Sequence, residues 1–208
     1  MFPGSISQIC FDYIQGGEAE VVRALAPLVV EEIVPLIPSE AAVISIDGWY
    51  CVGKTTIASA LAKALDAATI DFDGLLLKNQ GSYFNAMKFD EIADKIRAEK
   101  TKKKRVILSG CLMSQILIQA QESSNFNIYV MRVSRVTKQP AEDWIDRNLF
   151  QRQSFHVSEQ DPGDFGDENA SPDNETATAA MDRELEAYHL KFKPLTTSHL
   201  IVKRFEEM

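Results

Sequence analysis

Cysteine is scarce in this sequence: 208 residues hold three, Cys10, Cys51 and Cys111. An odd, sparse set builds no disulfide framework and suits a reducing compartment. Positive charge is short as well. Lys and Arg number 22 against 30 Asp and Glu, a formal net charge of -8. That balance argues against a nucleic-acid or anionic-membrane partner, since both favour a basic face. No apolar run reaches membrane-spanning length, and Met1-Phe2-Pro3-Gly4 lacks the basic-then-apolar pattern of a secretory leader. The expectation is a cytoplasmic chain with no cleaved segment. No internal repeat is visible, and the length suits one domain over 1–208. Whether the chain forms a homo-oligomer is not readable.

What is present is led by Gly48-Trp49-Tyr50-Cys51-Val52-Gly53-Lys54-Thr55, followed by Thr56. It fits G-x-x-x-x-G-K-[ST], a phosphate-binding loop. Ala42-Val43-Ile44-Ser45-Ile46 before it reads as a buried strand, bounded by turn residues. After it Ile57, Ala58, Leu61, Ala62 and Leu65 recur at helical spacing. A strand-to-helix junction is where such a loop works, because the glycines let successive N–H groups curl around a phosphate and the helix adds its unpaired amides. Lys54 would reach the β- and γ-phosphates, and the Thr55 hydroxyl would ligate Mg²⁺. The competing reading is a plain glycine turn. Cys51 is read as a tolerated small residue rather than a redox switch.

Further strands are expected at 67–72, 106–108, 128–133 and 199–203, and helices at 90–99, 111–121 and 176–191. Another helix is expected from Pro140, carrying Trp144, Ile145, Arg147, Leu149 and Arg152. Residues 158–175 hold seven acids and no Lys or Arg, which reads as a solvated loop. Residues 140–176 thus make a lid helix with an acidic flexible loop. Residues 1–17 read as a short docking helix. Residues 18–37 read as a kinked helix or two, interrupted by Pro27 and Pro35, so that 1–40 would form a helical cover. The basic run Lys100, Lys102, Lys103, Lys104 and Arg105 reads as a solvated helix end. Strands alternating with helices imply an α/β fold: a mainly parallel five-stranded sheet in a three-layer α/β/α sandwich.

In such sheets the ligand sits at the carboxyl ends of the strands. Gly48, Asp73, Ser109 and Arg132 to Arg135 fall there. Transfer of a phosphoryl group to a hydroxyl needs the loop, a magnesium site, a carboxylate for the acceptor and cations for the charge in flight. Asp73 suits the carboxylate role, with Asp71 as fallback; for either, the plainer reading is a turn or helix cap. Arg147 and Arg152 could close over the phosphates, or simply decorate an exposed helix face.

Ile46-Asp47-Gly48 running into Gly53-Lys54-Thr55-Thr56 resembles the opening of the uridine kinase, phosphoribulokinase and bacterial pantothenate kinase superfamily. Asp73-Gly74-Leu75-Leu76 is similar to its Asp-Gly-Phe-Leu element, whose first aspartate is the proposed base. The run from Ser82 to Asp90 resembles its Tyr-x-x-Pro-x-x-(Phe/Tyr)-Asp stretch without the proline. Val106-Ile107-Leu108-Ser109-Gly110 resembles its Val-Ile-Val-Glu-Gly strand, and Tyr188, Pro194 and the 199–202 strand its C-terminal element. The resemblance implies a P-loop NTPase fold of nucleoside-kinase type and use of ATP and Mg²⁺. It also implies phosphoryl transfer to a small hydroxyl compound, with Asp73 as base and Thr55, Asp71 and Asp73 about the metal. Two departures stand out. Ser109 replaces a glutamate near the metal, which weakens that site or shifts its charge to Asp71 and Asp73. The Arg147–Arg152 segment also lacks the Arg-Gly-Arg ending.

The competing function classes are a nucleotide-dependent switch and a catalytically silent nucleotide binder. The Asn-Lys-x-Asp guanine motif and the Walker-B aspartate are absent, which lowers the switch reading; Ser109 keeps the silent one alive.

Overall fold

The computed structural model describes residues 8–15, 18–25, 30–77, 82–102, 105–133 and 177–205. Its central strand is β3 (Val43–Gly48), buried at all six positions. A parallel strand covered on both faces must be apolar nearly throughout. Its two polar residues are accommodated by partners: Ser45 Oγ donates to Asn127 Oδ1 at 2.8 Å, and Asp47 Oδ1 accepts from the Gly48 amide at 2.7 Å.

Naming the other strands β4 (Ala68–Asp71), β5 (Val106–Ser109), β6 (Phe126–Val133) and β7 (Leu200–Phe205), the parallel sheet runs β7-β6-β3-β5-β4. These are the five parallel strands expected. Two more extend it. Strands β1 (Gln8–Gln15) and β2 (Glu18–Leu25) form an antiparallel pair, and β1 runs antiparallel to β7, giving seven strands.

The N-terminal helical cover is therefore corrected. Only α1 (Val30–Ile33) and a 3-10 turn at Val34–Leu36 are helical there among the described residues. The missed signal was local. Ile9, Phe11 and Tyr13 alternate with period two, and Gly16-Gly17 separates two runs, which is hairpin chemistry. In the antiparallel register Gln15 pairs with Glu18.

The remaining helices are α2 (Lys54–Leu65), α3 (Phe89–Lys102), α4 (Met113–Gln119), α5 (Ala177–Phe192) and α6 (Pro194–Thr197). α2 buries Ile57, Ala58 and Leu61; α3 buries Ile92, Ala93 and Ile96. Truncating any of the larger ones to Ala costs about 2–5 kcal/mol. α2 packs against β3, β4 and β5, α3 against β4 and β5, and α4 against β3. α5 packs beside α4. Lys100 and Lys102 lie in the last turn of α3, with Lys102 Nζ 2.8 Å from Glu99 Oε1; Arg105 corrects the expected solvated end, lying past the helix and donating to the Pro38 and Ser39 carbonyls, while residues 103 and 104 lie outside the described residues. The lid helix, with Arg147 and Arg152, and the acidic loop lie outside the described residues.

Candidate functional site

The loop from Gly48 to Gly53 joins β3 to α2, and its glycines are dictated by close neighbours. Gly48 has φ +147°, and a Cβ there would lie 2.2 Å from the Val130 carbonyl oxygen of β6. Gly53 has φ +91°, and a Cβ there would lie 1.7 Å from a guanidinium nitrogen of Arg204. Cys51 also adopts positive φ, at 59°, and is exposed.

Lys54 begins α2, and its side chain is 6% exposed. Its ammonium donates to the Trp49 carbonyl and lies 3.4 Å from Cys111 Sγ, beyond the end of β5. Burial first, countered by the Lys54 charge, pushes the Cys111 thiol up to about 12. Trp49 is buried, and its indole nitrogen has no hydrogen-bond partner among the described residues.

The oxygen donors gather beside Lys54. Thr55 Oγ1 donates to Asp71 Oδ2 at 3.1 Å, and Asp71 Oδ1 accepts from the Asp73 amide at 3.3 Å. Asp71 ends β4, and Asp73 lies in a 3-10 turn at Phe72–Leu75. The Asp73 side chain is exposed and accepts from the Tyr83 hydroxyl at 2.6 Å. That hydroxyl in turn accepts from the Cys111 amide at 3.4 Å. Burial, reinforced by the charges of Cys111 and Asp73, raises the Tyr83 pKa far above its ordinary value, so Tyr83 stays a donor to Asp73. Asp73, Tyr83, Cys111 and Lys54 thus form one chain of contacts on the β5/β4 side of the loop. Ser109, buried at the end of β5, is the register partner of Asp71. The carboxylate nearest Thr55 therefore comes from β4 rather than β5.

α5 ties this arrangement together; of its residues here the sequence singled out Tyr188 alone. Glu184 accepts from the Tyr83 amide at 2.8 Å, the Phe84 amide at 3.2 Å and the Ser82 hydroxyl. Asp182 accepts from the Tyr50 hydroxyl at 3.0 Å. The Tyr188 hydroxyl donates to Asp47 and accepts from the Ser114 amide at 3.3 Å. The Tyr129 hydroxyl lies 2.6 Å from His189 Nε2. Burial raises the Asp47 carboxyl above its ordinary value, opposed by the hydrogen bonds from Tyr188 and Gly48 and by nearby His189 and Lys54. An acid inside the apolar run 42–46 plus Asp47 was the available signal for that buried contact; nothing in the sequence pointed to Glu184 or Arg204.

The parallel order β7-β6-β3-β5-β4, with the glycine loop 48–53 between its central strand and the next helix, gives a three-layer α/β/α fold of P-loop type. No protein-family model matches the chain, and no curated protein matches it. Among solved structures it is similar to a Bacillus stearothermophilus protein described as a possible uridine kinase. That likeness has 10% identity over 83% of this chain and 94% of that one, at a TM-score of 0.46. It is also similar to a Silicibacter protein described as a fructose transport system kinase, with 11% identity over 82% and 93% of the two chains and a TM-score of 0.39.

Proposed function

We propose that this protein is an ATP- and Mg²⁺-dependent phosphotransferase that moves the γ-phosphoryl group to a hydroxyl of a small molecule. The observation that carries the reading is the shared flank of the loop. Lys54, Thr55 and Asp71 stand together there, and Asp73 is connected to Lys54 through Tyr83 and Cys111. The amides of residues 48–56 cradle the phosphates, and Lys54 leaves the Trp49 carbonyl to bond the terminal ones. Asp73, exposed to an incoming ligand, accepts the proton of the acceptor hydroxyl. Arg147 and Arg152 are assigned to the lid.

The donor set suits magnesium. Thr55 and Asp71 offer hard oxygens 3.1 Å apart, and among the described residues no group of three or more His, Cys, Asp or Glu could hold a metal by itself. Mg²⁺ is characteristically held by one or two protein oxygens plus substrate phosphates and water. When bound it neutralises charge developing on the phosphoryl oxygens.

The test is turnover of ATP with Mg²⁺ across a panel of nucleosides, sugars, glycerate and pantothenate-like hydroxy acids, comparing wild type with Asp73→Asn. Loss of a general base costs about 10²–10⁴ in rate. Equal turnover by the two proteins removes Asp73 from the mechanism. ATP binding with no turnover on any acceptor favours the silent-binder reading, which the Ser109 position supports.

A further inference from the structure

Helix α5 reaches both the loop that begins at Gly48 and the stretch 82–84 beside Asp73. Glu184 accepts from the amides of Tyr83 and Phe84. Tyr188 lies four residues further on, and so on the same face of the helix. Its hydroxyl donates to Asp47 Oδ2, and Asp47 Oδ1 accepts from the Gly48 amide at 2.7 Å. The same hydroxyl accepts from the Ser114 amide at the start of α4, at 3.3 Å. Tyr188 is 1% exposed and Asp47 5%, so the pair is shielded from solvent. Burial, reinforced by the Asp47 charge, raises the Tyr188 pKa far above its ordinary value, so Tyr188 stays a donor. Gly48 is confined from the other side too, by the Val130 carbonyl oxygen 2.2 Å from where a Cβ would stand. The Gly48–Trp49 peptide is thus held between β6 and the Tyr188–Asp47 pair, and the Trp49 carbonyl is the group that takes the Lys54 ammonium.

From this geometry we infer that Tyr188 is a positioning residue for the phosphate donor: through Asp47 it fixes the entry of the loop in its triphosphate-binding conformation, while Glu184 sets the acceptor side independently. The inference rests on the proposed kinase reading, which puts the terminal phosphates at Lys54 and the acceptor at Asp73. Tyr188 touches neither ligand and acts through the backbone of the loop. Only its hydroxyl is required, because the ring packs on Phe192 with centroids 5.0 Å apart and phenylalanine keeps that contact. A loop released from Asp47 spends part of its time in other conformations, and apparent affinity falls with the fraction that is competent. One helix then serves two substrates through residues one turn apart.

The experiment is calorimetric titration of the full chain with Mg²⁺-ATP and, separately, Mg²⁺-inorganic triphosphate, for wild type, Tyr188→Phe and Glu184→Gln. Amide exchange is followed at Gly48 and Tyr83 in the same proteins. Tyr188→Phe should weaken both ligands about tenfold, the scale of one buried acceptor left unpaired, and speed exchange at Gly48 but not at Tyr83. Glu184→Gln should change both affinities less than about twofold, as expected of an independent site, and speed exchange at Tyr83 but not at Gly48. Asp47→Asn keeps the volume but leaves one acceptor oxygen for two donors; it serves if Tyr188→Phe does not fold, with the same loss expected. Wild-type affinity in Tyr188→Phe, or an equal loss in Glu184→Gln, overturns the assignment and leaves the kinase reading standing. Wild type binding neither ligand overturns the kinase reading and the Tyr188 assignment with it.

Discussion

Removing the Glu184 carboxylate tests how the acceptor side is built. Glu184 sits on α5 and accepts two backbone amides, Tyr83 at 2.8 Å and Phe84 at 3.2 Å, besides the Ser82 hydroxyl. It is the anchor that fixes Tyr83, whose hydroxyl in turn reaches Asp73. Glu184→Ala leaves those amides without a side-chain acceptor at a half-buried site. Hydrogen bonds to a charged group contribute about 1.5–3 kcal/mol each where water is excluded. Partial exposure and replacement by water reduce the sum, so the net cost is about 2–3 kcal/mol. For a chain of this length each kcal/mol lowers Tm by about 2–4 °C, giving a drop of about 4–12 °C. Glu184→Gln, which keeps one acceptor oxygen and the volume, loses about half of that. Thermal and urea unfolding of the three proteins measure it. A Glu184→Ala protein that melts within a degree or so of wild type would mean that α5 does not hold residues 82–84.

Tyr83→Phe removes the 2.6 Å hydrogen bond to Asp73. It should cost about 1 kcal/mol of stability and lower turnover in the acceptor assay more than it changes ATP affinity. Gly48→Ala would drive a methyl to within 2.2 Å of the Val130 carbonyl; strain of this kind costs about 1–3 kcal/mol, read as a lower urea midpoint. Asp47 is raised by burial, so the folded state holds its proton more tightly than the unfolded chain. Stability contributed at that site therefore falls as pH rises from the ordinary carboxyl value of 3.8 toward the raised one. The urea stability of wild type relative to Asp47→Asn should decline over that range, and a constant difference would contradict it. Cys111, with its thiol pushed up to about 12, should resist alkylation in the folded protein at pH 8, while exposed Cys51 reacts; mass spectrometry of the labelled peptides distinguishes them.

The parallel core was legible because its signals are local. A β-branched run before a glycine loop and an apolar stripe after it specify β3 and α2 without knowledge of neighbours. Asp73 could be placed near the loop because strand alternation puts successive carboxyl ends at one edge. The hairpin strands at 8–15 and 18–25 are ambiguous in sequence because Val21, Val22 and Leu25 satisfy a helical spacing as well as a strand, and only their antiparallel pairing decides between the two. Glu184 and Arg204 were invisible for a different reason. Their partners are backbone groups 101 and 152 positions away, and a backbone amide or carbonyl leaves no mark on residue type. Asp47 lies between these cases: an acid ending an apolar run announces a buried partner but not that the partner is Tyr188.

The most direct measurement is calorimetric titration of Mg²⁺-ATP into wild type and Lys54→Met. The account predicts a single site in wild type and a loss of about 10–100-fold in the variant, the scale of one or two hydrogen bonds from a buried cation to phosphate oxygens. Undiminished ATP affinity in Lys54→Met, with the fold intact, would contradict it.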